Sequence, residues 1–168
     1  MKHPIVIRPA EERDLPRVGQ LAGDLVRMHH QADPQRFLLV QNVETGYAQW
    51  LSRERRRPGA VVLVACSDGT VVGYAYGTLE GRDWNLLLDA HGVVHDVFVA
   101  VDSRRTGVGR GLLTSMVEAL ERLGAPRIIL STMVGNESAQ RLFRASGFRA
   151  TMLEMTRDCA RSRDGSSG

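Results

Sequence analysis

The amino-acid sequence predicts an α+β, or mixed α/β, domain built around one twisted β-sheet. Segments with the two-residue period of a strand alternate with segments that repeat apolar residues at helical spacing. Two of the strand segments, 60–66 and 71–80, flank Ser67-Asp68-Gly69-Thr70, which is typical of a hairpin turn. The stretch 92–101 is apolar on both faces, as expected for a central strand. The predicted order is therefore β-α-α-β-β-β-α-β-α-β, with all strands in one sheet.

The first part of the chain predicts one strand and two helices. Residues 3–8 alternate around Ile5 and Ile7, which favours a strand. Helical spacing runs from Leu15 to Met28, with Asp14 as the expected N-cap, and this helix should end near His29-His30. A second helix is expected over 43–57, where Pro58-Gly59 stops it.

The second part predicts two helices that each lead into a strand. A helix opens after Arg105 and stops at Gly124, and a strand follows over 127–133. A short helix over 136–146 is closed by Gly147 as its C-cap, and a last strand is expected over 148–156. In the hairpin strand, Gly73 and Gly77 predict a bulge or a close backbone approach.

Length and composition limit the protein to a few classes. The 168 residues fit one domain, assigned to 1–157, with a polar and disordered tail expected over 158–168. Neither an apolar run of membrane-spanning length nor a signal peptide is recognisable, so no membrane partner is expected. Cys66 and Cys159 lie far apart and give neither a disulfide framework nor metal-ligand spacing, which favours a reducing cytoplasm and no metal. The net charge is only +3 and aromatic residues are 5%, which argues against a nucleic-acid binder.

The junction Val97–Gly111 reads as a strand, a turn rich in Gly and Arg, and the start of a helix. Such a junction presents unpaired backbone N–H groups and the positive end of a helix dipole, which together suit a phosphate. A P-loop is excluded because its lysine is missing, and a dinucleotide fold is disfavoured because Leu112 stands where the third glycine belongs. The next strand also lacks the acidic residue that binds a ribose.

Two sequence blocks then indicate a family. Arg104-x-x-Gly107-x-Gly109, placed after Asp96-Val-Phe-Val99, resembles the acyl-CoA loop of the GNAT (GCN5-related N-acetyltransferase) superfamily. The segment 136–148, Asn-x-x-Ala-x-x-Leu-Phe-x-x-x-Gly-Phe, is similar to a second block of that family, and the resemblance extends over about residues 4–156. It implies a central twisted mixed sheet of about six to seven strands flanked by about four helices. It also implies an enzyme that transfers the acetyl group of acetyl-CoA to a primary amine, with the amine attacking the thioester directly.

The resemblance assigns the cofactor site by position. The backbone of the strand would pair with the pantetheine arm, the loop N–H groups would hold the pyrophosphate, and the helix after Asn136 would flank the thioester. The residues so assigned are Val97, Phe98, Val99, Arg104, Arg105, Thr106, Gly107, Val108, Gly109, Arg110, Asn136, Ser138 and Phe143.

Two residues are candidates for the general base. His95 is preferred, because an imidazole accepts a proton near neutral pH. Strand parity places His95 on the face of Val97 and Val99, with Asp96 as second choice on the opposite face, unless a bulge intervenes. Phe143 occupies the family's usual Tyr position, so no general acid is predicted there.

The acceptor site is expected where the first helix ends and its following loop begins. The candidates are His29, Asp33, Phe37, Trp84 and Thr132. A small-molecule amine is the favoured acceptor. The alternatives are a protein N-acetyltransferase and a coenzyme-A-binding module with little catalysis, and a homodimer is expected only by analogy with the family.

Overall fold

Five strands form one sheet whose spatial order is the same as their order in the chain. The structure is a computed structural model and describes residues 4–159. The strands are β1 (Ile5–Pro9), β2 (Ala60–Ser67), β3 (Thr70–Glu80), β4 (His91–Val99) and β5 (Ile128–Leu130). The helices are α1 (Leu15–Ala32), α2 (Val43–Glu54), α3 (Val108–Arg122) and α4 (Glu137–Ala145). Neighbouring strands from β1 to β4 are antiparallel, and β5 is parallel to β4. The predicted mixed fold class is confirmed.

The β2–β3 hairpin turns at the predicted position. Ser67 pairs with Thr70, and the two residues between them have positive φ angles, 49° at Asp68 and 75° at Gly69. Two consecutive left-handed residues match the right-handed twist of the flanking strands, which is why Asp-Gly is common in such turns. The hairpin therefore forms the centre of the sheet around which the other elements pack.

The helices cover the sheet on two faces. One core cluster joins α1 and α2 to Tyr74, Tyr76 and Phe98, and a second joins α3 to Ala75 and Val94. Side chains alternate between these faces along each strand, as the pleat requires. This alternation decides which face each candidate catalytic residue occupies.

Gly77 is a point of close approach between the sheet and α3. A Cβ atom at this position would lie 2.7 Å from the sulfur of Met116 and 2.9 Å from the carbonyl oxygen of Val93. The pairing of β3 with β4 also shifts register between Tyr76 and Gly77. The predicted close approach at Gly77 is thus confirmed, whereas the bulge beside it has its extra residue on β4 and not on β3.

Several element ends differ from the sequence expectations. Helix α1 continues to Ala32 and α2 ends at Glu54. The carboxylate of Asp14 makes no cap bond to α1. It accepts hydrogen bonds from the Arg8 guanidinium at 2.6 Å and from the Glu11 backbone N–H at 2.8 Å. The partly buried ion pair with Arg8 thus uses the carboxylate that was expected to cap the helix.

The predicted sixth strand over 148–156 is wrong. Residues 148–159 have no regular secondary structure, so within residues 4–159 the sheet has five strands and not six to seven. Met152, Leu153 and Met155 have strand-forming or apolar character, yet they remain 68% to 87% exposed. A strand is stabilised by pairing and burial rather than by its own composition, and this stretch has little burial.

Two boundaries touch residues outside the described part of the chain. Most residues of the predicted tail, 158–168, lie outside the described residues 4–159. His3 of the first predicted strand also lies outside them. Within residues 4–159, no helix is long and apolar enough to span a membrane.

Candidate active site

Strands β4 and β5, the last pair at one edge of the sheet, separate partway along β4. They pair in parallel only from Gly92 to Val94, opposite Ile128–Leu130. Beyond this point β4 continues to Val99, and within residues 4–159 its register pairs it only with β3. Apart from the Val99 carbonyl oxygen, which accepts a hydrogen bond from Arg104, the backbone polar groups on this side of 97–99 are therefore available to an extended ligand that binds like an added strand.

The loop that follows β4 brings backbone N–H groups to the same end of the sheet. Arg105 and Gly107 have positive φ angles of 61° and 95°, and Gly107 is the N-cap of α3 without a side-chain cap bond. A Cβ atom at Gly107 would meet nothing within 4 Å, so steric crowding does not explain the glycine. Its positive φ angle does, because residues with a side chain rarely adopt that conformation. The uncapped first turn of α3 is thus a suitable anion site.

Two side chains of this loop are used within the loop itself. Arg104 donates a 3.0 Å hydrogen bond to the carbonyl oxygen of Val99, and its guanidinium carbon lies 5.3 Å from the centre of the Phe98 ring. The Thr106 hydroxyl donates to the carbonyl oxygen of Ser103 at 2.6 Å. These contacts hold the turn in shape, while Arg105 and Arg110 are exposed.

Helix α4 lies beside the start of α3, so the two sequence blocks meet in space. A Cβ atom at Gly109 would lie 3.6 Å from Leu142 and 3.7 Å from Val99. Asn136 is the N-cap of α4, and its side-chain oxygen accepts the Ala139 N–H at 3.1 Å. Ser138 in the first turn of α4 is exposed.

Phe143 faces the α3-side core. It is half-buried and packs edge to face on Phe148, with ring centres 6.2 Å apart. A phenyl ring has no proton to donate, so this position offers packing and no acid.

The predicted face of His95 is wrong, and the bulge is the reason. Tyr76 pairs with Asp96, whereas the next residue, Gly77, pairs with Val94, so His95 is the extra residue on β4. The insertion reverses the alternation and brings His95 to the face of Tyr76, the side covered by α1 and α2. His95 and Asp96 therefore lie on one face, although they are neighbours in a strand.

Two contacts fix the His95 imidazole. Its Nε2 atom lies 2.8 Å from the hydroxyl oxygen of Thr78, and the ring stacks on Tyr76 with centroids 5.0 Å apart and planes at 22°. The side chain still has solvent access. The ring is thus held in place and remains accessible to a substrate.

The charge state of His95 depends on burial and on several charged neighbours. Desolvation lowers the pKa of His95 below its ordinary value of 6.5, and Arg57 adds to this decrease. The carboxylates of Asp96, Glu80 and Glu54 oppose it. Because the net shift is downward, the imidazole is neutral at pH 7 and ready to accept a proton.

Asp96 lies beneath the site in a polar cluster. Its Oδ2 atom accepts hydrogen bonds from the hydroxyls of Tyr47 at 2.8 Å and Tyr74 at 3.0 Å. Burial raises the pKa of Asp96, while the two tyrosines oppose that increase. Since Tyr47 and Tyr74 also have raised pKa values, both remain neutral donors.

The candidate acceptor residues are only partly brought together. His29 and Phe37 contact each other edge to face with ring centres 4.8 Å apart, and a positive charge on His29 would lower the pKa of Asp96. Asp33 caps the end of α1 and accepts the backbone N–H groups of Gln35 and Arg36 at 3.1 Å each. His29 is thus the member of this set that lies near the polar cluster, with Phe37 packed against it.

Within residues 4–159, no hydrogen bond or ring contact joins Trp84 or Thr132 to that cluster. Trp84 is 75% exposed in the loop between β3 and β4, where its ring meets the Arg82 guanidinium at 5.3 Å. Thr132 is exposed just after β5. Their predicted part in acceptor binding stays a prediction.

Sequence reasoning missed the aromatic residues that surround His95. Trp50 contacts both Tyr47 and Tyr76 edge to face, and Tyr76 donates a hydrogen bond to Glu54. Tyr47 and Trp50 also line an open cavity of about 370 Å³ beside the 40–43 segment. The sequence signal was in β3, where Tyr74, Tyr76 and Thr78 lie on one face because they are two residues apart. Only the register between β3 and β4 shows that this face lies next to His95.

Comparisons with known proteins agree with this architecture. The acetyltransferase (GNAT) family matches residues 25–148. L-amino acid N-acetyltransferase AaaT of Escherichia coli (strain K12) is 32% identical over 148 residues, which cover 86% of this chain and 82% of that protein. The L-methionine sulfoximine/L-methionine sulfone acetyltransferase of Pseudomonas aeruginosa is 35% identical over 97 residues, covering 56% and 54% of the two chains. A solved structure of aminoglycoside N-acetyltransferase AAC(6')-Iy in complex with CoA shares the fold at a TM-score of 0.72, with 17% identity over 97% of each chain.

Proposed function

Because this chain belongs to the acetyltransferase (GNAT) family and is an N-acetyltransferase, we propose that it transfers the acetyl group of acetyl-CoA to the primary amine of a small molecule. The observation that carries this proposal is the geometry at the end of β4. There an unpaired strand edge meets an uncapped helix N-terminus, and His95 lies on the same strand. These are the groups needed to hold an extended thioester with a phosphate and to accept a proton beside it.

The residues at this end of the sheet fit coenzyme A. The backbone of 97–99 would pair with the pantetheine arm, and the N–H groups of 105–110 would bind the pyrophosphate. Asn136, Ser138 and Phe143 on the α4 side would flank the thioester. Support comes from the related fold that was solved in complex with CoA.

The transfer needs a neutral amine. Bound acetyl-CoA supplies the acetyl group: the amine nitrogen bonds to the acetyl carbon, the carbon–sulfur bond breaks, and its electron pair leaves with the sulfur. An alkyl ammonium has a pKa near that of lysine, about 10.4, so it must lose its proton before attack. The neutral imidazole of His95 takes this proton, directly or through one water.

The charges around His95 favour a cationic acceptor. Among the described residues, the carboxylates of Asp96, Glu80 and Glu54 and the guanidinium of Arg57 act electrostatically on the ring, and the negative charges outnumber the positive one. We retain His29, Asp33 and Phe37, near the end of α1, as candidate acceptor residues, and Trp84 and Thr132 as outer candidates. The E. coli relative acts on L-amino acids, so L-amino acids are the first acceptors to test.

Incubation with acetyl-CoA and a panel of amines tests the proposal, with release of free thiol as the measurement. The panel contains L-amino acids, a polyamine, an aminoglycoside and a peptide with a free N-terminus. We expect turnover with a small amine. Turnover with the peptide alone would instead support a protein N-acetyltransferase.

One observation favours a second candidate, a coenzyme-A-binding module with little catalysis. Phe143 stands where the family usually has a proton-donating tyrosine. Tight CoA binding without thiol release from any amine would support this candidate and overturn the enzyme proposal. Isothermal titration with CoA, run on the same sample, separates it from a protein that has simply lost its fold.

Two further expectations accompany the proposal. We place the protein in the cytoplasm, in line with its two unpaired cysteines. We also expect a homodimer, which light scattering of the purified protein tests by its mass.

A further inference from the structure

An uncharged cavity lies beside the start of α2. It has a volume of about 370 Å³, it is open to solvent, and none of the described residues that line it is charged. Val40, Val43, Tyr47 and Trp50 contribute apolar surface to its wall. This volume is near the lower end of the range of about 300–1,000 Å³ that small-molecule sites have, so the cavity suits one ring or a short aliphatic chain.

Two ring contacts connect this cavity to the candidate base. Trp50 packs edge to face on Tyr76, and Tyr76 stacks on His95, with ring centres 5.0 Å apart in both pairs. The ring centres of Trp50 and His95 are therefore separated by no more than twice that distance. Tyr47, which also lines the cavity, donates a hydrogen bond to Asp96, the neighbour of His95 in the chain. A molecule of amino-acid size whose amine lies at His95 can thus extend into the cavity.

The segment before α2 exposes three consecutive apolar side chains next to this cavity. Leu38, Leu39 and Val40 are 71%, 49% and 52% exposed, and Val40 is part of the cavity wall. Single exposed apolar residues are common on protein surfaces, whereas contiguous ones beside a cavity are typical of a ligand site. An apolar ligand in the cavity would remove part of this surface from water, which favours binding in proportion to the area buried.

The other end of this region, around His95, is acidic. Among the described residues, the carboxylates of Asp96, Glu80 and Glu54 act electrostatically on the ring together with the single guanidinium of Arg57. Arg57 is itself paired with Glu54 at 3.0 Å and with Glu80 at 3.6 Å, so its charge is shared with those two carboxylates. An ammonium group is therefore favoured near His95, and an uncharged group is favoured in the cavity.

We propose that the acceptor is a primary amine with an apolar group, either one ring or a short branched chain, which occupies the cavity beside Tyr47 and Trp50 while the amine lies at His95. This inference rests on the proposed function and narrows its acceptor from small amines in general. Apolar L-amino acids and arylalkylamines have this shape. A polyamine or an aminoglycoside does not, because its polar groups would lose hydration in the cavity without a charged partner there.

The first test compares acceptors in two pairs that are matched for charge. One pair is L-phenylalanine and L-glutamine, and the other is 2-phenylethylamine and ethanolamine. Release of free thiol at saturating acetyl-CoA gives kcat/KM for each amine. We expect the apolar member of each pair to exceed the polar member about tenfold or more, because its ring is partly removed from water in the cavity. An equal or larger value for the polar member of a pair would overturn the inference.

The second test fills the cavity from its own wall. Gly46 lies in α2 and lines the cavity, and a Cβ atom there would meet nothing within 4 Å, so Gly46→Leu adds a side chain at the cavity without a clash. Leucine is also a better helix former than glycine, so the variant should fold. We expect the KM for L-phenylalanine to rise about tenfold and the KM for acetyl-CoA to stay unchanged.

Gln49→Leu is the matched control. It adds the same side chain at an exposed position of α2 that does not line the cavity. We expect its KM for L-phenylalanine to equal that of the wild type. Equal KM values for L-phenylalanine in Gly46→Leu and Gln49→Leu would overturn the inference.

A third measurement does not depend on turnover. The chain has two tryptophans, so in Trp84→Phe the tryptophan emission reports Trp50 in the cavity wall. With CoA present, we expect L-phenylalanine to cause a saturable change in this emission and L-glutamine to cause none. No response to L-phenylalanine in a protein that acetylates it would overturn the inference. A response without thiol release from any amine would instead overturn the proposed function, so the two failures are distinguishable.

Discussion

The hydroxyl of Tyr47 donates a 2.8 Å hydrogen bond to Oδ2 of Asp96, which joins α2 to β4 directly beneath the candidate base. Burial raises the pKa of Asp96, which means that the folded protein disfavours its ionised form. Below the ordinary value of 3.8 the carboxyl is protonated in the folded and unfolded states alike. As the pH rises above that value, the carboxyl ionises more readily in the unfolded chain, so this residue lowers stability progressively.

Asp96→Asn should therefore stabilise the protein increasingly as the pH rises above about 4. An amide oxygen still accepts the hydroxyl of Tyr47, but the buried charge is absent. The difference between the urea midpoints of variant and wild type, measured from pH 3.5 to 7.5, tests this expectation. A difference that does not grow with pH would contradict the raised pKa of Asp96.

Tyr47→Phe should have the opposite pH dependence. It removes a donor that stabilises the ionised carboxylate, a hydrogen bond of a kind that contributes about 1.5 to 3 kcal/mol. We expect that loss of unfolding free energy at pH 7 and a smaller loss near pH 3.5, where Asp96 is protonated. Urea unfolding at both pH values is the measurement. An equal loss at both would mean that the hydroxyl does not act on the charge of Asp96.

His95→Asn tests the base. Since burial lowers the pKa of His95, the acidic limb of kcat/KM for acetyl-CoA, measured at saturating amine, should lie below pH 6.5 in the wild type. The variant should lose this limb, and kcat should fall about 100-fold, the lower end of the range for a general base. A limb that persists in the variant would exclude His95 and turn attention to Asp96.

Gly107→Val tests the phosphate loop, and Gly124→Val is a matched control at the other end of α3. Both glycines have a φ angle of 95°, and a Cβ atom at either would meet nothing within 4 Å. Both variants should thus lose a similar free energy of unfolding, on the order of 1–2 kcal/mol. Only Gly107→Val should raise the KM for acetyl-CoA, about tenfold, because its side chain occupies the space before the first turn of α3. Equal KM values in the two variants would mean that the loop is misassigned.

Local signals in the sequence were sufficient for the parts of the fold that depend on neighbouring residues. The Asp68-Gly69 turn and Gly107 at the start of α3 were predictable because positive φ angles strongly select residue type. The family followed from Arg104-x-x-Gly107-x-Gly109 and the 136–148 block, and it is confirmed.

The positions of the site residues depend on how distant strands pair, and local sequence signals could not predict them. The bulge at His95 arises where β3 and β4 pair, and one inserted residue was enough to place the ring on the opposite face. Thr78 looked like an ordinary strand residue until the register placed it behind His95. The missing sixth strand has the same cause, because 148–156 has strand-like composition without the burial that a strand needs.

Phe143→Tyr tests whether the absence of a general acid at position 143 limits the rate of acetyl transfer. The leaving thiol of coenzyme A resembles that of cysteine, with a pKa of about 8.5, so it departs readily as a thiolate. We therefore expect kcat to change less than about threefold when a hydroxyl is added at Phe143, since protonation of the sulfur is not limiting. Phe148→Tyr is the matched control, because its ring packs against Phe143 at 6.2 Å and gains the same hydroxyl at a neighbouring position. A rise in kcat of about tenfold or more in Phe143→Tyr, absent from Phe148→Tyr, would show that a missing acid limits the rate.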